Sequence, residues 1–335
     1  METSHRLHTY TILKAGFLFA LSCVISASAL SQKDTLIYED GSIRCVVEMQ
    51  DQRLDGSYAS YYRNGQKKAS GEFAHNCRTG IWTIWDSTGR MRVTRVYENL
   101  FEFDQTFPVV SVDPPVALLN KPVYELTYNE KGFIEYFDVK ERMVLWAKRV
   151  WRMITPEENP KLFEEDAFYR ILTKNIQAEK LKCYSAENES FATELTSLKN
   201  PDNYKVISYK LKEDNFFDNE RLLSESRILG ICPVAIDLKT KDTVDLYWIY
   251  FPHLRNVLAK EIAPYESDDP SDDIRTFDDL FFFRDFYGEI YKESNVNDKP
   301  IADYTSSAEE RTKEIQRIEI SMIEIEHDYW IHFAR

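Results

Sequence analysis

The alternation of apolar and polar positions divides the chain into a strand-rich first part and a mixed second part. From residue 34 to residue 96, short alternating runs are separated by glycine-containing turns, which predicts antiparallel strands joined by hairpins. Leu162 to Lys180 has apolar residues at intervals of three and four, which predicts an amphipathic helix. Ala308 to Trp330 has a narrow apolar seam along a charged segment. This seam predicts a long helix that either caps its own domain or docks on a partner.

Further strands and helices follow each other in the second part. Helical spacing predicts a helix over 254–262, and Thr276 is the expected N-cap of another helix. Pro252 is expected to end the strand before it. Strands are predicted over 206–212, 228–237 and 244–251. The fold class is therefore α+β: an N-terminal antiparallel β-meander of hairpin repeats, followed by a mixed α+β domain with a long C-terminal helix.

Glycines in the first part recur with a fixed spacing. Gly41, Gly65 and Gly89 are each 24 residues apart, and Gly56 and Gly80 repeat with the same offset. Self-similarity at a fixed period is typical of repeat architectures. Asp-Gly and Asn-Gly pairs supply the positive φ angles that tight hairpin turns require. We therefore expect one hairpin per repeat.

Aromatic residues follow the same period. Tyr58 corresponds to Trp82, and Tyr61 corresponds to Trp85. These units resemble variant MORN repeats, and the resemblance implies a protein-binding adaptor surface without chemistry of its own. The alternative is that the four aromatic side chains stack as the core of the meander.

The first 31 residues have the pattern of a secretory signal. Basic residues precede a short apolar run, and small residues follow at 27–29. The run is shorter than the ~20 apolar residues that span a membrane. We expect cleavage of this segment, export to the periplasm and no direct insertion of the mature chain into a membrane. Cys45, Cys77, Cys183 and Cys232 remain, and sparse cysteines without a CxxC motif favour free thiols, although a Cys183–Cys232 bridge stays possible.

Composition shifts give the domain boundaries. After the signal at 1–31, the repeat module is assigned to 34–100. Residues 101–147 form a proline-containing linker, because prolines break regular structure there, with a possible extra hairpin around a turn at 128–132. The mixed domain is assigned to 148–335.

Short motifs in this last domain carry a resemblance to a known family. They include Trp151-Arg152, Lys212-Glu213-Asp214, Trp248-Ile249-Tyr250-Phe251-Pro252 and the acidic pair Asp278-Asp279. In order and spacing they resemble the GldN/PorN family, the periplasmic ring component of the type IX secretion and gliding apparatus. The motif residues, expected to be structural or interfacial, are Trp151, Arg152, Glu213, Asp214, Phe217, Arg227, Pro233, Trp248, Tyr250, Pro252, Arg255, Asp278, Asp279, Arg284, His327 and Trp330.

The resemblance implies a non-enzymatic subunit that forms a ring with an outer-membrane lipoprotein. It also implies contact with the periplasmic part of the inner-membrane motor, and assembly of several copies of this chain. N-terminal repeats are a departure from the family pattern. An alternative is therefore a cell-envelope adaptor whose repeats bind a protein partner, with a divergent ring-like domain.

The chain lacks the common catalytic signatures. It has no G-x-S-x-G, H-E-x-x-H, P-loop or G-x-G-x-x-G sequence. Asp278 and Asp279 could suggest a metal or acid/base pair, but acids at a helix N-terminus favour the helix dipole or pair with an arginine. The net charge of −14 disfavours nucleic acid as a partner. We expect no catalytic, cofactor or metal site.

Overall fold

The structure is a computed structural model that describes residues 32–333, except 51–52, 76, 98–102, 108–127, 188, 199, 265–274 and 297. The expected secretory signal and the prolines of the linker lie outside the described residues, as does an acidic segment at 266–273 that the sequence predicts to be a solvated loop. None of the helices in the described part is long and apolar enough to cross a membrane.

Two antiparallel sheets form the framework of the molecule. The first is a seven-stranded meander whose strands are neighbours in chain order, from β1 to β7. Its strands are β1 Gln32–Ile37, β2 Ile43–Gln50, β3 Arg53–Tyr61, β4 Lys67–Ala74, β5 Cys77–Trp85, β6 Met91–Tyr97 and β7 Phe103–Phe107. The second sheet has the order β11-β10-β9-β8-β13, and β12 also pairs with β10. Its strands are β8 Val144–Ile154, β9 Tyr204–Asp218, β10 Leu223–Asp237, β11 Thr243–Asp245, β12 Ile249–Tyr250 and β13 Glu289–Glu293.

Five α-helices in the described part of the chain accompany the second sheet. They are α1 Pro160–Phe163, α2 Ala167–Gln177, α3 Phe251–Leu258, α4 Phe277–Phe282 and α5 Ala308–Phe333. Side chains of α2, α3 and α4, including Phe168, Leu254 and Phe281, form one apolar core with Tyr209 of β9. The expected α+β fold, with an N-terminal meander and a long C-terminal helix, is confirmed.

The meander has the predicted repeat geometry. Each hairpin turn ends on a glycine with positive φ, at Gly41 (82°), Gly65 (80°) and Gly89 (83°). Because L side chains rarely adopt this conformation, glycine stabilises each turn. Three consecutive hairpins, β1–β2, β3–β4 and β5–β6, therefore correspond to the 24-residue repeats, and β7 follows them. The assignment of these units as MORN variants stays a prediction.

Two local predictions need correction. The helix expected over 162–180 is interrupted, because Glu165 and Asp166 have φ angles of 48° and 55° and separate α1 from α2. The strand expected over 244–251 is reduced to the short β11 and β12. Pro252 lies in the first turn of α3, where its missing N–H group costs nothing because that turn has no intrahelical acceptor.

Helix α5 packs on both sheets. In its N-terminal half, Ile315 and Ile318 join a cluster with Val150 of β8 and Ile290 of β13. In its C-terminal half, Trp330 belongs to the same core as residues of the meander. The two sheets of this chain therefore share one covering helix.

Candidate functional site

A cavity of about 310 Å³ lies where the two sheets and α5 meet. We call it the inter-sheet cavity. The meander contributes Cys77, Arg78 and Tyr97, and α5 contributes Met322 and Glu326. The second sheet and the segment after α4 contribute Trp146, Arg152, Asn215, Arg284 and Phe286. The cavity reaches exposed residues at His75 and Glu135.

A buried carboxylate, Glu213, organises one wall of this cavity. Arg152 donates from Nε to Oε1 of Glu213 at 2.6 Å, and Arg284 donates from Nη2 to Oε2 at 2.9 Å. Arg152 also donates to Glu319 of α5 at 3.4 Å and to the Gly288 carbonyl at 2.8 Å. Strands β8 and β9, the end of α4 and α5 are thus joined through three motif residues expected from the sequence.

The charges determine the protonation of Glu213. Its side chain is 0% exposed, and burial alone would raise the pKa of the carboxyl group. Attraction by Arg284 and Arg152 outweighs that effect and lowers the pKa of Glu213 from 4.5 to about 2. Glu213 is therefore ionised at any physiological pH.

Arg284 reaches Glu213 because of how α4 ends. The φ angle of Arg284 is 57°, in the left-handed conformation that commonly ends a helix. The next residue, Asp285, donates its N–H to the Leu280 carbonyl at 2.9 Å, which satisfies one of the last carbonyls of the helix. The strained residue is thus the one whose guanidinium contacts the buried carboxylate.

The acidic pair at the start of α4 has two separate structural roles. Asp279 and Thr276 form a capping box, in which the Asp279 N–H donates to Thr276 Oγ1 at 3.2 Å and the Thr276 N–H donates to Asp279 Oδ2 at 2.8 Å. The predicted N-cap is confirmed. Asp278 accepts two hydrogen bonds of 2.8 Å from Arg255 of α3. The arginine paired with this acid therefore comes from a different helix.

Arg255 is enclosed by aromatic rings as well as paired. Its guanidinium carbon lies 4.5 Å from the ring centroid of Phe133 and 4.7 Å from that of Tyr136. It also donates to the Ile134 carbonyl at 2.6 Å. The arginine thereby attaches the short turn around residues 128–134 to α3. Within this turn Tyr128 and Ile134 form an isolated antiparallel bridge, and the possible extra hairpin stays a prediction.

The end of the motif region contacts the repeats directly. His327 of α5 is fully buried, and its ring lies 5.4 Å from the Trp82 ring centroid and 5.4 Å from that of Trp330. Burial, together with the cations of Arg78, Lys68 and Arg95, holds the pKa of His327 well below 6.5. The imidazole ring is therefore neutral at pH 7.

The four repeat aromatics divide between two environments. Tyr58 and Trp82 are buried, with ring centroids 5.3 Å apart and ring planes tilted by 34°, so equivalent side chains of neighbouring repeats pack against each other. Tyr61 and Trp85 are only half-buried, and Lys67 lies 5.6 Å from the Trp85 ring centroid. Positions three apart on a strand point to opposite faces, so only one aromatic residue of each repeat belongs to the core.

The remaining motif residues lie in other parts of the second sheet. Trp151 and Trp248 form a separate cluster with Cys232, and Phe217 stacks on Tyr329 of α5 with centroids 4.7 Å apart. Asp214 accepts hydrogen bonds of 2.6 and 2.8 Å from Arg149, and Arg227 donates to Glu225 at 2.6 Å. Tyr250 contacts the ring of Phe191 at 5.5 Å, and Pro233 lies within β10.

Several cavity residues were not identified from the sequence, namely Arg78, Asn215, Glu319 and Glu326. Asn215 follows two acidic residues in β9, so no local pattern distinguishes it, whereas Arg78 is the second residue of β5, on the face that carries Trp82 and Ile84. A polar residue at an inward position of an alternating strand is the signal that could have identified Arg78.

Metal or thiol chemistry receives no support from the described residues. Among them, no group of three or more histidine, cysteine, aspartate or glutamate side chains could hold a metal ion. All four described cysteines are free thiols: Cys45, Cys183 and Cys232 are buried, and Cys77 is half-buried in the inter-sheet cavity.

A model of the family described as "Gliding motility associated protein GldN" matches residues 139–331. The chain belongs to the GldN family. The GldN region contains the second sheet, α1 to α4, nearly all of α5 and all sixteen motif residues. The resemblance predicted from about residue 148 is therefore confirmed, and the match begins nine residues earlier. No curated protein matches the chain.

Within the GldN region, the motif residues do not converge on one reaction centre. Arg152, Glu213 and Arg284 stabilise one wall of the cavity, Asp278 and Arg255 join two helices, and His327 and Trp330 bind the repeats. Such contacts are typical of residues that hold elements of a fold in register.

Proposed function

We propose that this GldN-family chain is a non-enzymatic structural subunit of a type IX secretion and gliding motility machine. It would act in the periplasm, form a ring with an outer-membrane lipoprotein and contact the periplasmic part of the inner-membrane motor. The observation that carries the proposal is the family match over 139–331. The secretory signal predicted from the sequence supports the compartment.

The state of the buried carboxylates supports a structural role. A general acid or base works best with a pKa near the operating pH. Glu213, with a pKa of about 2, is far from that range and is held by two arginines. Asp278 is fully buried and bonded through both oxygens to Arg255. Both carboxylates thus hold arginine side chains in place.

The repeats support assembly in a second way. Their inner face packs against α5, so the meander is attached to the GldN region by a buried core and not only by the chain between them. Forces transmitted to one sheet would therefore reach the other. This rigidity fits a subunit of a load-bearing machine.

Recovery of partners from the cell envelope tests the proposal. A tagged full-length chain, crosslinked in cells and purified from envelope extracts, should bring down an outer-membrane lipoprotein and a periplasmic motor component. Fractionation should place the mature chain in the periplasm. Recovery of neither partner, from cells in which secretion depends on this chain, would contradict the proposal.

The adaptor alternative is favoured by exposed apolar side chains on the meander. Ile81 is 64% exposed and Ile37 is 63% exposed, and both belong to the repeats and not to the GldN region. Replacing Ile81 by Asp should then release one partner and leave secretion intact. Val296, exposed within the GldN region, gives a matched control as Val296→Asp.

A further inference from the structure

A short segment that precedes the GldN region covers a groove of that region. We call residues 128–137 the strap. Among the described residues, its only β-bridge joins its own Tyr128 and Ile134, and residues 135–140 have no regular secondary structure. The strap therefore belongs to neither sheet. The walls of the groove are Arg227 of β10, Arg255 of α3 and Phe282 of α4. Since the family match begins at residue 139, the groove belongs to the GldN region and the strap does not.

Two arginines of the groove hold main-chain carbonyls of the strap. Arg255 donates to the Ile134 carbonyl at 2.6 Å, and Arg227 donates to the Phe137 carbonyl. Every residue carries a main-chain carbonyl, so these hydrogen bonds do not depend on the side chains at the two positions. An extended polypeptide that brings two carbonyls three residues apart into the groove would make both of them.

Aromatic rings of the strap lie against the same arginines. The guanidinium carbon of Arg255 is 4.5 Å from the ring centroid of Phe133 and 4.7 Å from that of Tyr136. The guanidinium carbon of Arg227 is 5.1 Å from the Tyr136 ring centroid. A guanidinium group is attracted to the face of an aromatic ring. The groove therefore favours a segment with aromatic side chains three residues apart.

Removal of the strap would leave both arginines paired. Asp278 accepts two hydrogen bonds of 2.8 Å from Arg255. Glu225 accepts one of 2.6 Å from Arg227. Both carboxylates belong to the GldN region, so these ion pairs do not depend on the strap. At its end the strap is already open to solvent, since Phe137 is 45% exposed. Another segment can therefore replace the strap without breaking an ion pair of the groove.

We propose that this groove is a docking site for an extended segment of a partner polypeptide with aromatic side chains three residues apart. The strap occupies the site as an internal substitute until the partner displaces it. Arg255 and Arg227 then hold two carbonyls of the incoming segment, as they hold those of Ile134 and Phe137. The chemistry of the segment follows from the contacts of the strap, whereas the partner's membership of the secretion machine rests on the proposed function.

Binding of the strap sequence as a separate peptide tests the groove. The probe is a fluorescent peptide of residues 128–137, and the full-length mature protein carries Phe133→Ser with Tyr136→Ser, the uncovered variant. We expect the peptide to bind the uncovered variant at least about tenfold more tightly than the wild-type chain, because the attached strap competes at a high effective concentration. A peptide with the same two serines should bind neither protein. Equal binding to both proteins, or none to the uncovered variant, would overturn the proposal.

A milder change keeps the test valid if the uncovered variant misfolds. Tyr136 is only half-buried, so Tyr136→Ser alone removes its ring and leaves the buried Phe133 in place. It should bind the peptide more tightly than the wild-type chain does, and less tightly than the uncovered variant. Circular dichroism and urea midpoints establish which variants are folded. If folded Tyr136→Ser binds the peptide no better than the wild-type chain, the proposal is wrong.

One arginine of the groove can be replaced without leaving a carboxylate unpaired. Glu225 is also paired with Arg221, so it keeps a partner in Arg227→Gln. Added to the uncovered variant, Arg227→Gln should weaken peptide binding about tenfold, because a charged donor to the peptide carbonyl is lost. Arg149→Gln is the matched control, since Arg149 is paired with Asp214 on the same sheet, and it should leave binding unchanged. Equal weakening by both changes would contradict recognition by Arg227.

Partner capture tests the source of the segment. From crosslinked envelopes, the uncovered variant should recover more of an assembly partner than the wild-type chain does, and Arg227→Gln should recover less. If both variants recover every partner at wild-type levels, the partner polypeptide is wrong even where the peptide binds. If the wild-type chain forms a dimer in solution that Arg227→Gln abolishes, a second copy occupies the groove, and the proposed partner is again wrong. If the wild-type chain recovers no assembly partner, the proposed function fails, and the peptide measurements still decide what the groove binds.

Discussion

The meander and the second sheet are covered by the same helix, yet different contacts stabilise them. The meander is built from strands that are neighbours in sequence, and aromatic residues at equivalent positions of its repeats, Tyr58 and Trp82, pack against each other in its interior. The second sheet joins distant strands, and charged groups such as Glu213 and Asp278 are buried beside it. Because its repeats make similar contacts, the meander should tolerate a change in one repeat. The second sheet depends instead on a few buried ion pairs, in which each charged group has one specific partner.

The largest expected effect is removal of the central ring of the meander. Trp82 is fully buried and packs against Tyr58, Phe73 and His327. Trp82→Ala should lower the free energy of unfolding by about 4 kcal/mol, because it leaves a large cavity in the core. Urea unfolding followed by circular dichroism measures this loss.

Trp85→Ala is the matched control for that change. It lies three residues along the same strand and is only half-buried, so its cost should be less than half as large. Equal losses of stability in the two variants would show that the face carrying Tyr58 and Trp82 is not the core of the meander.

The next effect concerns the second sheet. Asp278→Asn removes the charge that faces buried Arg255 and keeps the side-chain size. We expect a loss of about 3 kcal/mol, because breaking a buried ion pair leaves an uncompensated charge. The exposed pair of Glu309 and Lys313 provides the control, and Glu309→Gln should leave the free energy of unfolding almost unchanged, because solvent screens this pair. Similar losses in both would contradict the role of burial.

Acid should weaken the second sheet through Glu213. Its pKa is lower in the folded protein than in the unfolded chain, so its contribution is present above pH 4.5 and is lost as the pH falls towards 2. The whole shift from 4.5 to about 2 corresponds to roughly 3–4 kcal/mol, of which more than half is lost by pH 3. Urea midpoints between pH 6 and pH 3 would measure it. The variant Glu213→Gln should be less stable at pH 6 and should have a smaller slope below pH 4.5.

The contact between α5 and the meander should be weakened by acid at a higher pH than the contacts of Glu213. The neutral His327 ring binds protons less readily than a histidine of the unfolded chain, because its pKa is held well below 6.5. Stability should therefore fall as the pH drops below 6.5, by at most ~1.4 kcal/mol per pH unit. His327→Phe should remove the slope between pH 6.5 and pH 5 without altering the loss below pH 4.5. An unchanged slope would assign it to another group.

The smallest effect is expected at the hairpin turns. Tyr62 donates its hydroxyl to the Trp85 carbonyl at 2.8 Å, which joins two repeats 23 residues apart. Tyr62→Phe should cost about 1 kcal/mol, the net value of one such hydrogen bond. Thermal unfolding would detect this loss as a small decrease in the midpoint temperature. A loss of stability as large as that of Trp82→Ala would show that the repeats do not tolerate local changes.

The difference between the meander and the second sheet also explains which parts of the fold can be predicted from the sequence. The glycine period predicts the meander because each turn needs only its own residues, and Thr276 with Asp279 predicts a helix start for the same reason. The partners of Arg284 and Asp278 could not be predicted, because Glu213 and Arg255 approach them through tertiary packing. Likewise, no local signal indicates that α5 covers both sheets.

That shared helix also has a consequence for the order in which the chain folds. Proteins are synthesised from the N-terminus, so the strands of the meander emerge long before α5, whose residues Ile320 and Trp330 cover their apolar face. About two hundred residues separate β7 from α5 along the chain. Until α5 has been synthesised, the aromatic face of the repeats is uncovered. A chaperone that binds exposed apolar surfaces would therefore bind the meander first.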